Sequence, residues 1–168
     1  LILNYSGYSK KEPVSGYIFV APYFGYRSKT DYDEKEKKVN FTTVDIAAFI
    51  ENETSGGLKA GHKKAVTYHF PEDTLKKNPE IVTAITVNMS KACTPASPGL
   101  QLSKLRLYGL WIGNNDEAFD PEKIVDFAQV NSSKESDAHI KPVENESHLS
   151  ILLNAHRLIG PWVMKKIK

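Results

Sequence analysis

Five histidines, one cysteine and 20 Asp and Glu are the groups in this 168-residue chain that can move protons, hold a metal or attack an electrophile. The tightest acid–histidine pair is Asp137 with His139, which share a face if that segment is extended. It sits within residues 131–148, a run of Ser, Glu, Asp, Lys and Asn that reads as a long polar loop, and a metal site needs rigid ligands and a rigid surround. His69 and His156 fall on the polar faces of expected strands, and His62 is out of phase with His69, so none forms a ligand pair. Cys93, His139, His148, His156 and Met164 are the residue types of a blue-copper site, but Cys93 and His139 stand 46 positions apart, too far for the compact copper-binding loop.

Other catalytic patterns are missing. There is no Gly-x-Ser-x-Gly elbow, no phosphate-cradling Gly-x-x-x-x-Gly-Lys and no dinucleotide Gly-x-Gly-x-x-Gly. Asp31, Asp33, Glu34 and Glu36 alternate with lysines, as a solvated loop does. The loop from Asn114 to Glu122 offers hard oxygens for calcium, with Asn115, Asp116 and Asp120 the weak candidate ligands, but lacks the Asp-x-Asp-x-Asp-Gly rhythm, and Asp120 is already placed to cap a helix. No cofactor is expected, and catalysis is the minority reading.

The elements that position these groups are short and frequently interrupted by Gly and Pro. Period-two alternation marks strands at Ala65 to Phe70, Glu80 to Ser90, Leu102 to Ile112 and Leu149 to Ile159, while Gly16 to Phe24 is apolar on both faces until Pro22. Phe119-Asp120-Pro121 starts a helix running to about Ala128, with Asp120 as N-cap and Phe119 stapled onto Ile124. Phe41 to Asn52 satisfies a strand or a buried helix, and its β-branched opening favours strand. The expectation is one antiparallel β-sandwich domain over 1–168, jelly-roll-like, of about six to eight strands with one or two short helices, and residues 1–15 as an N-terminal arm.

Composition sets the class. Twenty-two Lys and Arg against 20 Asp and Glu give a net charge of +2, without the basic stripe that nucleic acid requires, and no apolar run approaches a membrane span. One cysteine excludes an internal disulfide. The N-glycosylation acceptor pattern occurs six times, at Asn4, Asn40, Asn52, Asn88, Asn131 and Asn145, against about 1.3 expected from composition. A secreted or extracellular glycoprotein is therefore expected; a removed signal peptide leaves no trace in the sequence.

Six of the eight tyrosines lie in the first 32 residues, interleaved with glycines and basic residues. Tyr5, Tyr8, Tyr26 and Tyr32 with Arg27 form the expected recognition surface, since tyrosine pairs a rigid apolar face with a hydroxyl. The sequence thus reads first as a non-catalytic binding or adhesion module for a glycan or protein partner. Second comes a structural or assembly subunit or domain of a large extracellular complex, shell or filament, with oligomer formation possible, and third an enzyme whose site is assembled from distant loops.

Overall fold

The computed structural model describes residues 2–7, 14–28, 32–33, 38–39, 42–70, 72–77 and 79–166. In chain order these carry α1 (Ile2–Gly7), β1 (Tyr17–Val20), β2 (Tyr32–Asp33), β3 (Lys38–Val39), β4 (Thr42–Val44), α2 (Ile46–Thr54), β5 (Lys64–Tyr68), α3 (Glu72–Lys77), β6 (Ala84–Thr86), α4 (Val87–Cys93), α5 (Pro98–Ser103), β7 (Leu107–Gly113), α6 (Pro121–Asn131), β8 (Asp137–Val143) and α7 (His148–Lys166). The expected β-sandwich is overturned: the architecture is α/β, with seven helices among the described residues and two three-stranded sheets, one of them parallel. The chain divides into two compact units, one made of residues 1–30 and 95–168 and the other of residues 31–94.

The first unit is built on a parallel sheet in the order β1-β7-β8. Its middle strand carries Leu-Tyr-Gly-Leu-Trp-Ile-Gly, apolar at nearly every position, which is the composition of a strand covered on both faces. Tyr108, Leu110 and Ile112 point to one side and join Phe19 of β1, Leu3 of α1, Leu102 of α5, and Ile124 and Ala128 of α6 in one core. Trp111 points to the other side, where Ala21, Ile151, Leu158, Ile159 and Trp162 cover it. Tyr108 is fully buried; its hydroxyl is engaged by Ser132, and burial pushes its pKa up. The indole of Trp111 lies over Gly109, where any Cβ would come within 2.3 Å of the ring.

Helix α6 begins where its sequence dictates: the Asp120 carboxylate accepts from Lys123 N, Pro121 opens the helix, and Phe119 and Ile124 share the core. It runs on to Asn131. The long polar loop expected over 131–148 instead contains β8, whose Asp-Ala-His-Ile-Lys-Pro-Val alternates, with Ala138 and Ile140 packed on the core and all seven residues paired in parallel with β7. The expected strand Leu149 to Ile159 is part of α7. Its buried and part-buried apolar residues, Ile151, Leu158, Ile159 and Trp162, recur at helical spacing, which the two-residue alternation concealed. Residues 1–15, read as an arm, include α1, whose Leu3 is buried.

The second unit holds the antiparallel sheet β4-β5-β6 and, separately, the β2-β3 ribbon. The segment read as one strand over 41–52 divides at Asp45. Residues 42–44 pair with β5, and the Asp45 side chain then accepts from Ala48 N and starts α2. Likewise the expected strand from Glu80 to Ser90 keeps only β6, because the Thr86 hydroxyl caps α4 by accepting from Met89 N. Ala48, Ala65 and Val87 form this unit's small core.

The two faces of β7 give a direct packing test. Trp111→Ala should lower the unfolding free energy of the first unit by about 3–5 kcal/mol, read by chemical denaturation. Gly109→Ala should cost about 1–3 kcal/mol in the wild type through collision with the indole, and far less in the Trp111→Ala background. Additive losses in the double variant would show that the indole does not lie over Gly109.

Candidate functional site

In the parallel sheet the carboxyl ends of all three strands open onto one edge, where α/β folds place their chemistry. Three loops meet there. The segment after β1 is tied to the loop after β7 by Ser28 N donating to Ala118 O at 3.0 Å, Asp120 N to Tyr26 O at 3.3 Å, and a bridge between Arg27 and Phe119. The loop after β7 is tied to the one after β8 by Asn114 N donating to Val143 O at 2.9 Å and Asn115 N to Glu146 O at 3.0 Å. This second seam needs Gly113, since a Cβ there would stand 2.1 Å from the Glu146 carbonyl oxygen.

Asp116 and His148 meet on this edge. Asp116 is 5% exposed, with none of its side chain reaching solvent. One carboxylate oxygen, Oδ1, accepts from Ala118 N at 2.9 Å and Phe119 N at 2.8 Å, and the other, Oδ2, lies 2.9 Å from His148 Nδ1. A carboxylate only accepts, so the ring nitrogen facing it carries the proton and the neutral imidazole presents its Nε2 lone pair on the opposite side. No described residue takes that Nε2. The edge of Phe119 packs against the ring at a centroid distance of 4.8 Å.

His148 is also fixed through its backbone. It is the first residue of α7, and Ser147 and Ser150 cap the helix reciprocally: Ser147 N donates to Ser150 Oγ at 2.8 Å and Ser150 N to Ser147 Oγ at 3.2 Å. Glu146 braces this turn, accepting from Ser150 Oγ and from Asn154 Nδ2. Burial pulls the imidazole pKa down, but the Asp116 hydrogen bond and charge, together with the charge of Glu117, outweigh it and leave it above the ordinary 6.5. The arrangement is an oriented base whose protonated form is stabilised, the geometry of general acid–base chemistry.

The residues singled out from sequence fall in several places. Arg27 and Tyr26 reach the same edge, with Arg27 above the ring of Tyr23 at 5.5 Å and Tyr26 half-buried against Phe127 at 5.6 Å. Tyr5 lies exposed on α1, Tyr32 is in β2, and Tyr8 lies outside the described residues. Of the calcium candidates, Asp116 faces His148, Asp120 caps α6, and Asn115 is exposed on the loop between them. Among the described residues no group of three or more His, Cys, Asp or Glu is placed to hold a metal ion. His139 does not join the dyad: it packs on Trp111, and burial with the nearby Lys141 and Lys166 holds its pKa below the ordinary value.

Among the glycan acceptors, Asn52 is buried, its Nδ2 donating to Lys59 O and its Oδ1 accepting from Lys91 Nζ. Asn131 donates to Phe127 O, and Asn4 accepts from Ala96 N and Gln101. Asn88 and Asn145 are exposed, and Asn40 lies outside the described residues. An open groove of about 290 Å³ runs along α6 between Tyr26, Phe127 and Asn131, and neither member of the dyad lines it. Among the described residues no helix is long and apolar enough to cross a membrane.

The first unit is thus an α/β protein with an Asp–His dyad on the carboxyl edge of a parallel sheet. Compared with protein-family models, with curated proteins and with solved structures, the chain matches none. Sequence reading missed the dyad because its members are 32 positions apart. The available signal was an apolar strand ending in Gly113 with an acid three residues on, then a helix, a strand, and a histidine beside a capping serine.

The His148 titration gives a signed prediction. A folded-state pKa raised above 6.5 contributes stability that is fully present below about pH 6.5 and is lost as the pH rises through the folded-state value. Asp116→Asn should therefore lower the His148 pKa measured by NMR, and the stability gap between wild type and variant should be wider at about pH 5.5 than at about pH 8.5. A gap that widens toward alkaline pH would contradict the ionic coupling of the pair.

Proposed function

We propose that this chain contributes the acid and the base of a hydrolase, with Asp116 orienting His148 and His148 Nε2 taking the proton from an attacking hydroxyl. The observation that carries this reading is the 2.9 Å contact between a fully enclosed carboxylate and His148 Nδ1, on the catalytic edge of a parallel sheet. Chain order adds support. In α/β-hydrolases the acid precedes the histidine and the nucleophilic serine precedes both, and here an acid follows a parallel strand and a histidine follows the next one. The parallel is one of chain order.

In the proposed reaction the nucleophile's oxygen bonds to the acyl carbon as its proton passes to Nε2. The imidazolium so formed is held by Asp116 through Nδ1–H, and its Nε2 proton then goes to the leaving oxygen or nitrogen as the bond to the acyl carbon breaks. No Gly-x-Ser-x-Gly elbow occurs in the 168 residues, so this chain is assigned the acid and the base. The reading corresponds to the third of the sequence-based alternatives, a site assembled from distant loops, and it sets the tyrosine-rich surface aside as the functional centre. It takes weight from Asp116, which is buried and accepts three bonds, whereas Tyr5 is exposed and Tyr26 half-buried.

The test uses the native protein with an activated short-chain ester and a fluorophosphonate that captures nucleophilic serines. Hydrolysis is expected, with His148→Ala and Asp116→Asn each lowering kcat by on the order of 10³–10⁴-fold, and with fluorophosphonate labelling suppressed in His148→Ala. Hydrolysis that survives both substitutions unchanged would remove the dyad from the mechanism.

A further inference from the structure

The grip on His148 has a second arm. Its backbone N–H is one of the first donors of α7, which have no partner within the helix, and it donates to Glu117 Oε2 at 3.0 Å. Two consecutive carboxylates on the loop after β7 therefore reach the same residue, Asp116 through the ring and Glu117 through the main chain. The Glu117 loop is itself anchored, because the Ser28 hydroxyl donates to the Glu117 carbonyl.

Resting on the hydrolase reading above, we propose that Glu117 is a positioning residue for the general base, fixing the His148 backbone and countering the positive end of α7 beside the imidazole. A histidine in the first turn of a 19-residue helix faces a field that disfavours its protonated form. An anion on the first N–H reverses that field where the imidazolium must form. Among the described residues the charged groups acting on this ring are Asp116 and Glu117, both of which favour its protonated form against the effect of burial. Asp116 thus sets the ring's tautomer and angle, and Glu117 sets where the ring is attached and how readily it accepts a proton.

The two parts of this role separate by substitution. Glu117→Gln keeps an oxygen acceptor for the His148 N–H and removes the charge, whereas Glu117→Ala removes both. The experiment follows the His148 imidazole titration and backbone amide exchange by NMR in the wild-type protein and both variants, alongside ester hydrolysis across pH. Both variants should lower the His148 pKa by about half a pH unit, the size expected of one charge several ångströms away in water-like surroundings. Amide protection should fall in Glu117→Ala and recover in Glu117→Gln. The acidic limb of the rate profile should move down with the pKa, and kcat on the plateau should fall roughly three- to tenfold in Glu117→Ala only, the loss expected for one hydrogen bond.

An unchanged titration and unchanged amide protection in both variants would overturn the proposal, while Asp116→Asn still shifting the ring would leave the dyad intact. NMR effects as expected in a protein without hydrolytic activity would sustain the positioning of His148 by Glu117 and overturn the hydrolase reading instead.

Discussion

Strand β7 is buried on both faces, and the rest of the first unit is arranged to satisfy that condition. A strand with Tyr108, Leu110 and Ile112 on one side and Trp111 on the other cannot sit at a surface, so it recruits helices to both sides and parallel neighbours along both edges. Burying one Trp or Leu side chain is worth on the order of 2–3 kcal/mol, and the seven-residue strand concentrates several such terms in one place. The parallel arrangement then has a chemical consequence. Parallel strands end on the same edge, so the loops that follow β1, β7 and β8 converge without further design, and residues 32 positions apart come within hydrogen-bond distance.

The convergence is tight because backbone meets backbone. Gly113 lets the loop after β7 touch the Glu146 carbonyl, and the resulting seam places Asp116 opposite the start of α7. From there the polar groups satisfy one another in sequence. Asp116 takes two backbone N–H groups and an imidazole, Glu117 takes the first amide of the helix, Ser147 and Ser150 exchange caps, and Glu146 braces the turn. A buried carboxylate left without these donors would be strongly destabilising. With them, it imposes one tautomer on His148 and frees the other nitrogen. The stability of this corner and its chemistry therefore draw on the same bonds.

Local chemistry was legible in the sequence, and long-range pairing was not. The start of α6 at Asp120-Pro121, the later half of the strand expected over Leu102 to Ile112 and the double-faced apolar segment at β1 were written in side-chain types a few residues apart, and they held because capping and burial act over that range, whereas Leu102 and Ser103 end α5 and β7 starts only at Leu107. The expected strands at Glu80 to Ser90 and Leu149 to Ile159 failed for a related reason. Alternating apolar residues satisfy period two by chance in a short window, and a single cap such as Thr86 decides whether the next turn is helical. Asp45 did the same within the stretch expected as one strand, ending β4 and starting α2.

By itself the sequence determined the helix caps, the positions of several strands, the near-neutral charge and the absence of a cysteine framework, because each follows from residue identity or short spacing. Only the tertiary structure decided that the sheet is parallel, that residues 137–143 pair along β7, and that Asp116 is a buried partner of His148 rather than one more acid in a solvated loop. The physical reason is that strand direction and carboxylate burial are set by what packs against a segment. The indole over Gly109 and the Gly113 contact with Glu146 show how a residue with no side chain can decide such packing through neighbours two or 33 positions away.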